Sequence, residues 1–263
     1  MSLASPYDAF ARIYDLQHSG FLDDAPMYLR LAREAAPEAS ILEIGCGSGR
    51  VMIPLAEAGF RVVGVDESAE MLRIAEQRLR ANPHIPAERW SLIHADARTL
   101  RPEDPARFDM AIIALNTFLH NLTRDDQLAT LRAVRAHLSA GGLLVVDLPP
   151  NDEMAYQPDD GIFQLEATLI DPQAGTEIRK FVASRIFWAV QEQELTYRIE
   201  ERRAGDAAFT EQLITFRLRH VFKHEMELLL LQSGFAEPTW YGNYDLAPYG
   251  EGSPRMIAVA RAL

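Results

Sequence analysis

Glu43-Ile44-Gly45-Cys46-Gly47-Ser48-Gly49 sets three glycines at alternate positions behind an acid. Ile41 to Ile44 runs into it as a short apolar strand, and Arg50 to Ala58 leaves it with apolar residues at helical spacing. The glycines therefore fall on a tight strand-to-helix turn, where bare backbone can approach a ligand closely. A dinucleotide fingerprint, G-x-G-x-x-G, would need glycine at Arg50; here glycines occupy every second position and an acid precedes them.

Outward from this turn, short apolar runs alternate with amphipathic stretches as far as Leu148, the rhythm of βαβ units that build a parallel sheet. Ile41 to Ile44 is joined by Arg61 to Val65, Trp90 to Ala95, Phe108 to Leu115 and Leu143 to Leu148, all rich in Val, Ile and Leu as doubly buried strands are. Ala69 to Ala81 and Asp125 to Leu138 read as helices, with Gly59 and Gly141 placed as helix-ending glycines. After Pro149-Pro150 the rhythm changes. Ile162 to Ile170, Thr176 to Val190, Leu195 to Glu201 and Gln212 to Val221 read as an antiparallel β insertion, with turn signals at Asp171-Pro172-Gln173-Ala174-Gly175 and Ala204-Gly205-Asp206. Lys223 to Ser233 returns to helix, Gly234 ends it, and Phe235 to Tyr241 and Met256 to Ala260 close the sheet. The expected division is an α/β domain from 1–150 and 222–263, with the insertion at 151–221 as lid or dimer face.

The chain has 263 residues, 48% of them hydrophobic, enough for one α/β domain that carries an insertion. A net charge of -12 and the absence of any Lys/Arg run disfavour phosphate backbones and anionic lipid, so neither nucleic acid nor membrane is expected as a partner. No apolar run approaches the roughly 20 residues of a bilayer span. Cys46 is the single cysteine and cannot form an internal disulfide, and no charged, apolar leader opens the chain; both point to a reducing cytoplasm.

Two further strand ends carry acids. Gly64-Val65-Asp66-Glu67-Ser68 continues to Met71-Leu72, and His94-Ala95-Asp96-Ala97-Arg98 follows the third strand. Either acid alone is explained by a helix N-cap, but acids at three successive strand ends on one sheet edge favour a ligand. Together with the glycine turn, these stretches resemble the E/D-x-G-x-G-x-G loop and the second and third motifs of the class I S-adenosylmethionine-dependent methyltransferases. The resemblance implies a Rossmann-like, seven-stranded, mostly parallel sheet with an antiparallel last strand. It implies S-adenosylmethionine as cofactor, with contacts from Glu43, Gly45, Cys46, Gly47, Gly49, Asp66, Glu67, Met71, Asp96, Ala97 and Asn116. Asp66 would grip the ribose and Asp96 the adenine amino group, with Glu43 orienting either water or the cofactor's amino-acid end. A carboxylate accepts from two adjacent hydroxyls, which suits the ribose position.

The tip of the fourth strand, Asn116-Thr117-Phe118-Leu119-His120, belongs beside the reacting centre. His120 is the candidate base, with an ordinary pKa near 6.5, set against a purely structural hydrogen bond. Tyr7-Asp8-Ala9-Phe10-Ala11-Arg12-Ile13-Tyr14-Asp15 resembles a lead helix common in small-molecule members, where Tyr14 would face the methyl group. Tyr7 and Phe10 share that helical face and are equally well read as packing residues. No D/N-P-P-Y follows the fourth strand, which argues against DNA amino acceptors. His220 and His224 stand at i, i+4 without the H-E-x-x-H frame, so no metal is expected. Tyr241, Tyr244, Tyr249 and Arg255 are candidate substrate contacts of the closing loop. The insertion is similar to the extra sheet of amino-sugar N-methyltransferases, so the expected acceptor is a small molecule methylated on nitrogen or oxygen, with a homodimer through the insertion as a further expectation. A non-catalytic S-adenosylmethionine-binding protein remains the alternative, followed by an NAD-dependent oxidoreductase and an RNA methylase.

Overall fold

Val, Ile and Leu at consecutive positions bury both faces of the central strands, and the helices between them supply the covering layers. The computed structural model describes residues 5–18, 20–101, 107–150 and 152–263. Helices α1 (Pro6–His18) and α2 (Ala25–Ala35) precede strand β1 (Ser40–Ile44). There follow α3 (Met52–Glu57), β2 (Arg61–Asp66), α4 (Ala69–Ala81), β3 (Trp90–His94), β4 (Phe108–Ile113), α5 (Arg124–His137), β5 (Leu138–Leu148) and the single turn α6 (Glu153–Tyr156). The insertion supplies β6 (Gln164–Asp171), β7 (Thr176–Phe187), β8 (Glu192–Arg203) and β9 (Thr210–Arg219), and the chain ends with α7 (Lys223–Gln232), β10 (Thr239–Tyr241) and β11 (Met256–Arg261).

One sheet has seven strands in the order β10-β11-β5-β4-β1-β2-β3. β1 to β5 are parallel and β11 runs antiparallel against β5 and β10, which is the Rossmann-like layout with a reversed last strand. The strand order reverses between β1 and β4, so the crevice beyond their carboxyl ends is where such a sheet receives a ligand. The second sheet is a four-stranded antiparallel meander, β6-β7-β8-β9. Its inner face packs Ile178, Ile199, Ile214 and Phe216 against Phe10 and Ile13 of α1. Helix α1 therefore lies between the insertion and the strand tips, with one side committed to each.

Local chemistry explains the helix starts. The Ser68 hydroxyl accepts from the Met71 amide and Thr123 from the Asp126 amide, capping α4 and α5. Four differences from the sequence expectation stand out. Helix α2 had no counterpart in that reading: its stripe of Met27, Tyr28, Leu31 and Ala32 is buried, but Asp24 before it gives its carboxylate to Arg50 instead of capping. Gly141 does not end a helix; α5 passes directly into β5, and Gly141 lies where the β4–β5 register shifts. β4 ends at Ile113, and Leu115 adopts a φ of 49° that turns the chain away. Helix α3 starts at Met52 and not at Arg50, and the Gly49 amide just before is spent on the Cys46 carbonyl at 3.0 Å.

Candidate active site

The glycine turn sits at the tip of β1, tied down by Gly45 and Cys46 amides that donate to the Val65 carbonyl. Its three glycines have different reasons. A side chain at Gly45 would overlap that of Thr117, and one at Gly49 would press on Ala75 of α4 at 3.4 Å. Gly47, with φ at 54°, faces open space; its nearest neighbours are Met71 Sδ and Tyr14 Cε1, both 4.0 Å from the site a Cβ would take. Protein packing thus accounts for Gly45 and Gly49, whereas Gly47 has a left-handed backbone beside open space.

A cavity of about 280 Å³ opens at the tips of β1 to β4. It brings together Gly45, Gly47, Asp66, Glu67, Met71, Asp96 and Ala97 with Tyr14 and His120. Asp66 holds the loop as well as facing the cavity: one carboxylate oxygen accepts from the Gly47 amide and the other from the Ser68 amide, both at 2.8 Å. Burial outweighs these two amides and raises its pKa above the usual carboxylate value. Asp96 takes a different partner, a fork of bonds from the Arg98 guanidinium at 2.7–3.0 Å, which holds its carboxyl below the usual range. Arg98 itself, also on the cavity wall, was not anticipated from the sequence.

Three expected contacts stand back from this cavity and one lies in another. Gly49 packs on α4. Cys46 is buried against Gly64 of β2, and burial pushes its thiol pKa well up, leaving it inert. Glu43 lies under the turn, 2% exposed, and its Oε2 has no hydrogen-bond partner among the described residues. Burial raises the Glu43 pKa to about 8 although Arg50 opposes the shift, so the carboxyl is protonated at neutral pH. Arg50 is itself neutralised by a bidentate pair with Asp24, at 2.5 and 2.7 Å, and both residues are buried. Asn116, expected with the cofactor, points into the second cavity, because the positive φ at Leu115 redirects the chain just before it.

That second cavity, about 530 Å³, lies under the insertion. Phe10 and Tyr14 of α1, Tyr197 and Phe216 of the meander, and Tyr244 and Arg255 of the closing loop contribute to its wall. Lys180 and Glu166 also reach it. The insertion residues carry no motif; alternation showed that they were strands but not which residues faced inward. Of the closing-loop candidates, Tyr244 and Arg255 line the cavity, whereas Tyr241 and Tyr249 do not.

The two cavities share Tyr7, Tyr14, Thr117 and His120. The Tyr7 hydroxyl and His120 Nε2 are hydrogen-bonded at 3.0 Å, and the rings meet edge-on with centroids 5.3 Å apart. Burial lowers the His120 pKa to about 4, so the expectation of an ordinary imidazole near 6.5 is corrected: the ring is neutral at physiological pH. Burial also raises both tyrosine pKa values, keeping these phenols protonated.

Residues 41–142 match the family model described as "Methyltransferase domain", a span that holds the glycine turn, Asp66, Asp96 and His120. Residues 41–142 are thus a methyltransferase domain. Cypemycin N-terminal methyltransferase of Streptomyces sp is 32% identical over 149 residues, covering 56% of this chain and 58% of that protein. The chain spans about two-fifths to three-fifths of the length of the curated relatives it matches. The whole fold, insertion included, has counterparts. The CcbJ methyltransferase from Streptomyces caelestis superposes with a TM-score of 0.80 at 23% identity, covering 98% of both chains. CalS10, an amino pentose methyltransferase from Micromonospora echinaspora, superposes with a TM-score of 0.72 at 22% identity and 97% coverage of both. Among the described residues there is no cluster of potential metal ligands and no helix long and apolar enough to cross a membrane.

Proposed function

We propose that this chain transfers the methyl group of S-adenosylmethionine to a nitrogen or oxygen atom of a small molecule. The observation that carries this reading is the meeting of two cavities at Tyr7, Tyr14, Thr117 and His120, one beside the glycine turn and one under the insertion. Transfer between two bound molecules needs a donor site and an acceptor site that join at the reacting atoms, with water held out.

The first cavity suits an adenosyl sulfonium. Gly47 leaves a cradle that any side chain would fill, and Asp66 retains carboxylate lone pairs for ribose hydroxyls beyond the two amides it accepts. Ala97 and the Asp96–Arg98 pair would border the adenine, with Met71 and Glu67 beside the ribose. When bound, the cofactor supplies an activated methyl group with a neutral thioether as leaving group. The chain's own part is to align and shield. Tyr14, beside Gly47 and in both cavities, would face the transferred group, and the Tyr7–His120 pair would lie beside the acceptor. Segment 151–221 acts as the roof of the acceptor chamber. CalS10, which shares this layout, is an amino pentose methyltransferase, and that supports a small polar acceptor over a polymer.

Calorimetric titration with S-adenosylhomocysteine, followed by a turnover screen of small amines and alcohols read as S-adenosylhomocysteine release, tests the proposal. Saturable binding with turnover of at least one acceptor is expected. Binding without turnover of any acceptor would favour a non-catalytic sensor, and no binding would end the reading. Asp66→Ala is expected to weaken the binding by roughly 100-fold, about 2.7 kcal/mol, from the loss of a charge-assisted contact.

A further inference from the structure

Charged groups in the acceptor chamber are few, and they differ in how many donors they leave uncommitted. Lys180, 2% exposed, donates to Gln17 Oε1 at 2.8 Å and Glu166 Oε1 at 3.1 Å, and sits 4.2 Å from the Tyr197 ring centroid. Glu166 is thereby used as well. Arg255 differs. Its Nε donates to Asp147 Oδ1 at 2.8 Å and its Nη2 makes a long bond to Asn116 Oδ1 at 3.3 Å, while Nη1 has no hydrogen-bond or ion-pair partner among the described residues. Asp147 is fully buried on β5, and its other oxygen accepts from the Tyr244 hydroxyl at 3.2 Å, so this carboxylate is satisfied without the Nη edge. Glu153 feels the guanidinium charge but lies beyond ion-pair distance.

A guanidinium approached through Nε keeps its end-on pair, Nη1 and Nη2, for a second partner, and that pair matches the two oxygens of a carboxylate or phosphate. We propose that the Nη edge of Arg255 receives an anionic group on the methyl acceptor, so that the substrate is a small amine or alcohol that also bears a carboxylate or a phosphate. This rests on the reading of the second cavity as the acceptor chamber. Placement supports it: Asn116, which Arg255 holds, leads directly into the short turn Thr117–His120 at the throat. The anion and the reacting atom would thus be positioned by one five-residue segment, which fixes the orientation of a bound acceptor.

Inorganic phosphate and acetate are the probes, with acetamide as neutral control, titrated at constant ionic strength into protein saturated with S-adenosylhomocysteine. The readout is the side-chain ¹⁵N signal of Arg255, assigned by its loss in Arg255→Lys. A saturable shift with one of the anions and none with acetamide is expected, and the anion that acts distinguishes phosphate from carboxylate. No saturable shift with either anion up to about 50 mM, above the millimolar affinity expected of one bidentate contact, overturns the inference. Arg255→Lys keeps the charge beside Asp147 but lacks the fork; anion affinity read by thermal shift should fall roughly tenfold, and unchanged affinity would place the anion elsewhere. S-adenosylhomocysteine affinity measured alone reports separately on the cofactor reading, because anion binding to Arg255 can be followed without it.

Discussion

Tyr7 and His120, 113 positions apart, are joined by a 3.0 Å hydrogen bond at the junction of the two cavities. The bond links the lead helix to the tip of β4 and occupies His120 Nε2, and burial keeps the imidazole neutral. Any role for His120 in proton transfer therefore runs through a ring already partnered by a phenol.

His120 should titrate at about 4 by NMR, and turnover should show no inflection near 6.5 belonging to it. An unfolded imidazole binds its proton at a higher pH than the folded one, so the folded state loses stability as pH falls from about 6.5 toward about 4. His220, also lowered to about 4 by burial, adds to the same trend. His120→Gln should flatten this acid loss in thermal unfolding, and with Tyr7→Phe should lower turnover roughly tenfold without weakening cofactor binding. Full turnover in both variants would leave the pair a structural contact.

Glu43 gives the opposite slope. Its carboxyl titrates at about 8 in the folded chain against an ordinary 4.5, so between these values the folded state keeps a proton that the unfolded chain has released. Stability should fall as pH rises through that window. Glu43→Gln has no proton to lose and should gain in melting temperature relative to the parent from pH 5 to pH 8. Parallel curves would show that the buried carboxyl is ionised.

The glycines separate packing from ligand approach. Gly45→Ala should cost ~2 kcal/mol by overlap with Thr117, partly recovered by Thr117→Ser, which removes the methyl group in the way. Gly47→Ala should cost only ~1 kcal/mol for its left-handed backbone, while cofactor affinity falls steeply. Chemical denaturation and calorimetry on both variants check the contrast.

Asp24 and Arg50 form a buried bidentate pair that pins the start of α2 to the glycine turn. Removing either partner alone strands a buried charge and should cost ~3–5 kcal/mol. The double variant Asp24→Leu, Arg50→Met should cost less than the two single changes added together, as a double-mutant cycle by denaturation would read.

Where periodicity was long and the environment uniform, the sequence was enough. Ala69 to Ala81 is a helix at those bounds, and β1, β2, β4 and β5 fall where runs of Val, Ile and Leu put them, because burial on both faces permits little else, whereas β3, expected to be doubly buried, is a largely exposed edge strand. Helix α2 carried a start signal in Asp24 and Pro26 and an apolar stripe in Met27, Tyr28, Leu31 and Ala32, yet had no counterpart in the sequence expectation; the Asp24 carboxylate serves Arg50 instead of its own amides. Gly141 misled because a glycine after a helix and a glycine at a register shift look alike along the chain.

By itself the sequence determined the order of the sheet elements and the spacing of Gly47, Asp66 and Asp96 along one edge, since strand ends and turns are dictated by neighbours a few residues away. Tertiary structure alone decided which groups meet: that Asn116 leaves the first cavity for Arg255, that Tyr7 finds His120, and that Lys180 is consumed by Gln17 and Glu166. Such pairings join residues separated by up to 163 positions, and burial, which resets the pKa of Glu43 and His120, exists only once those distant segments have closed over them.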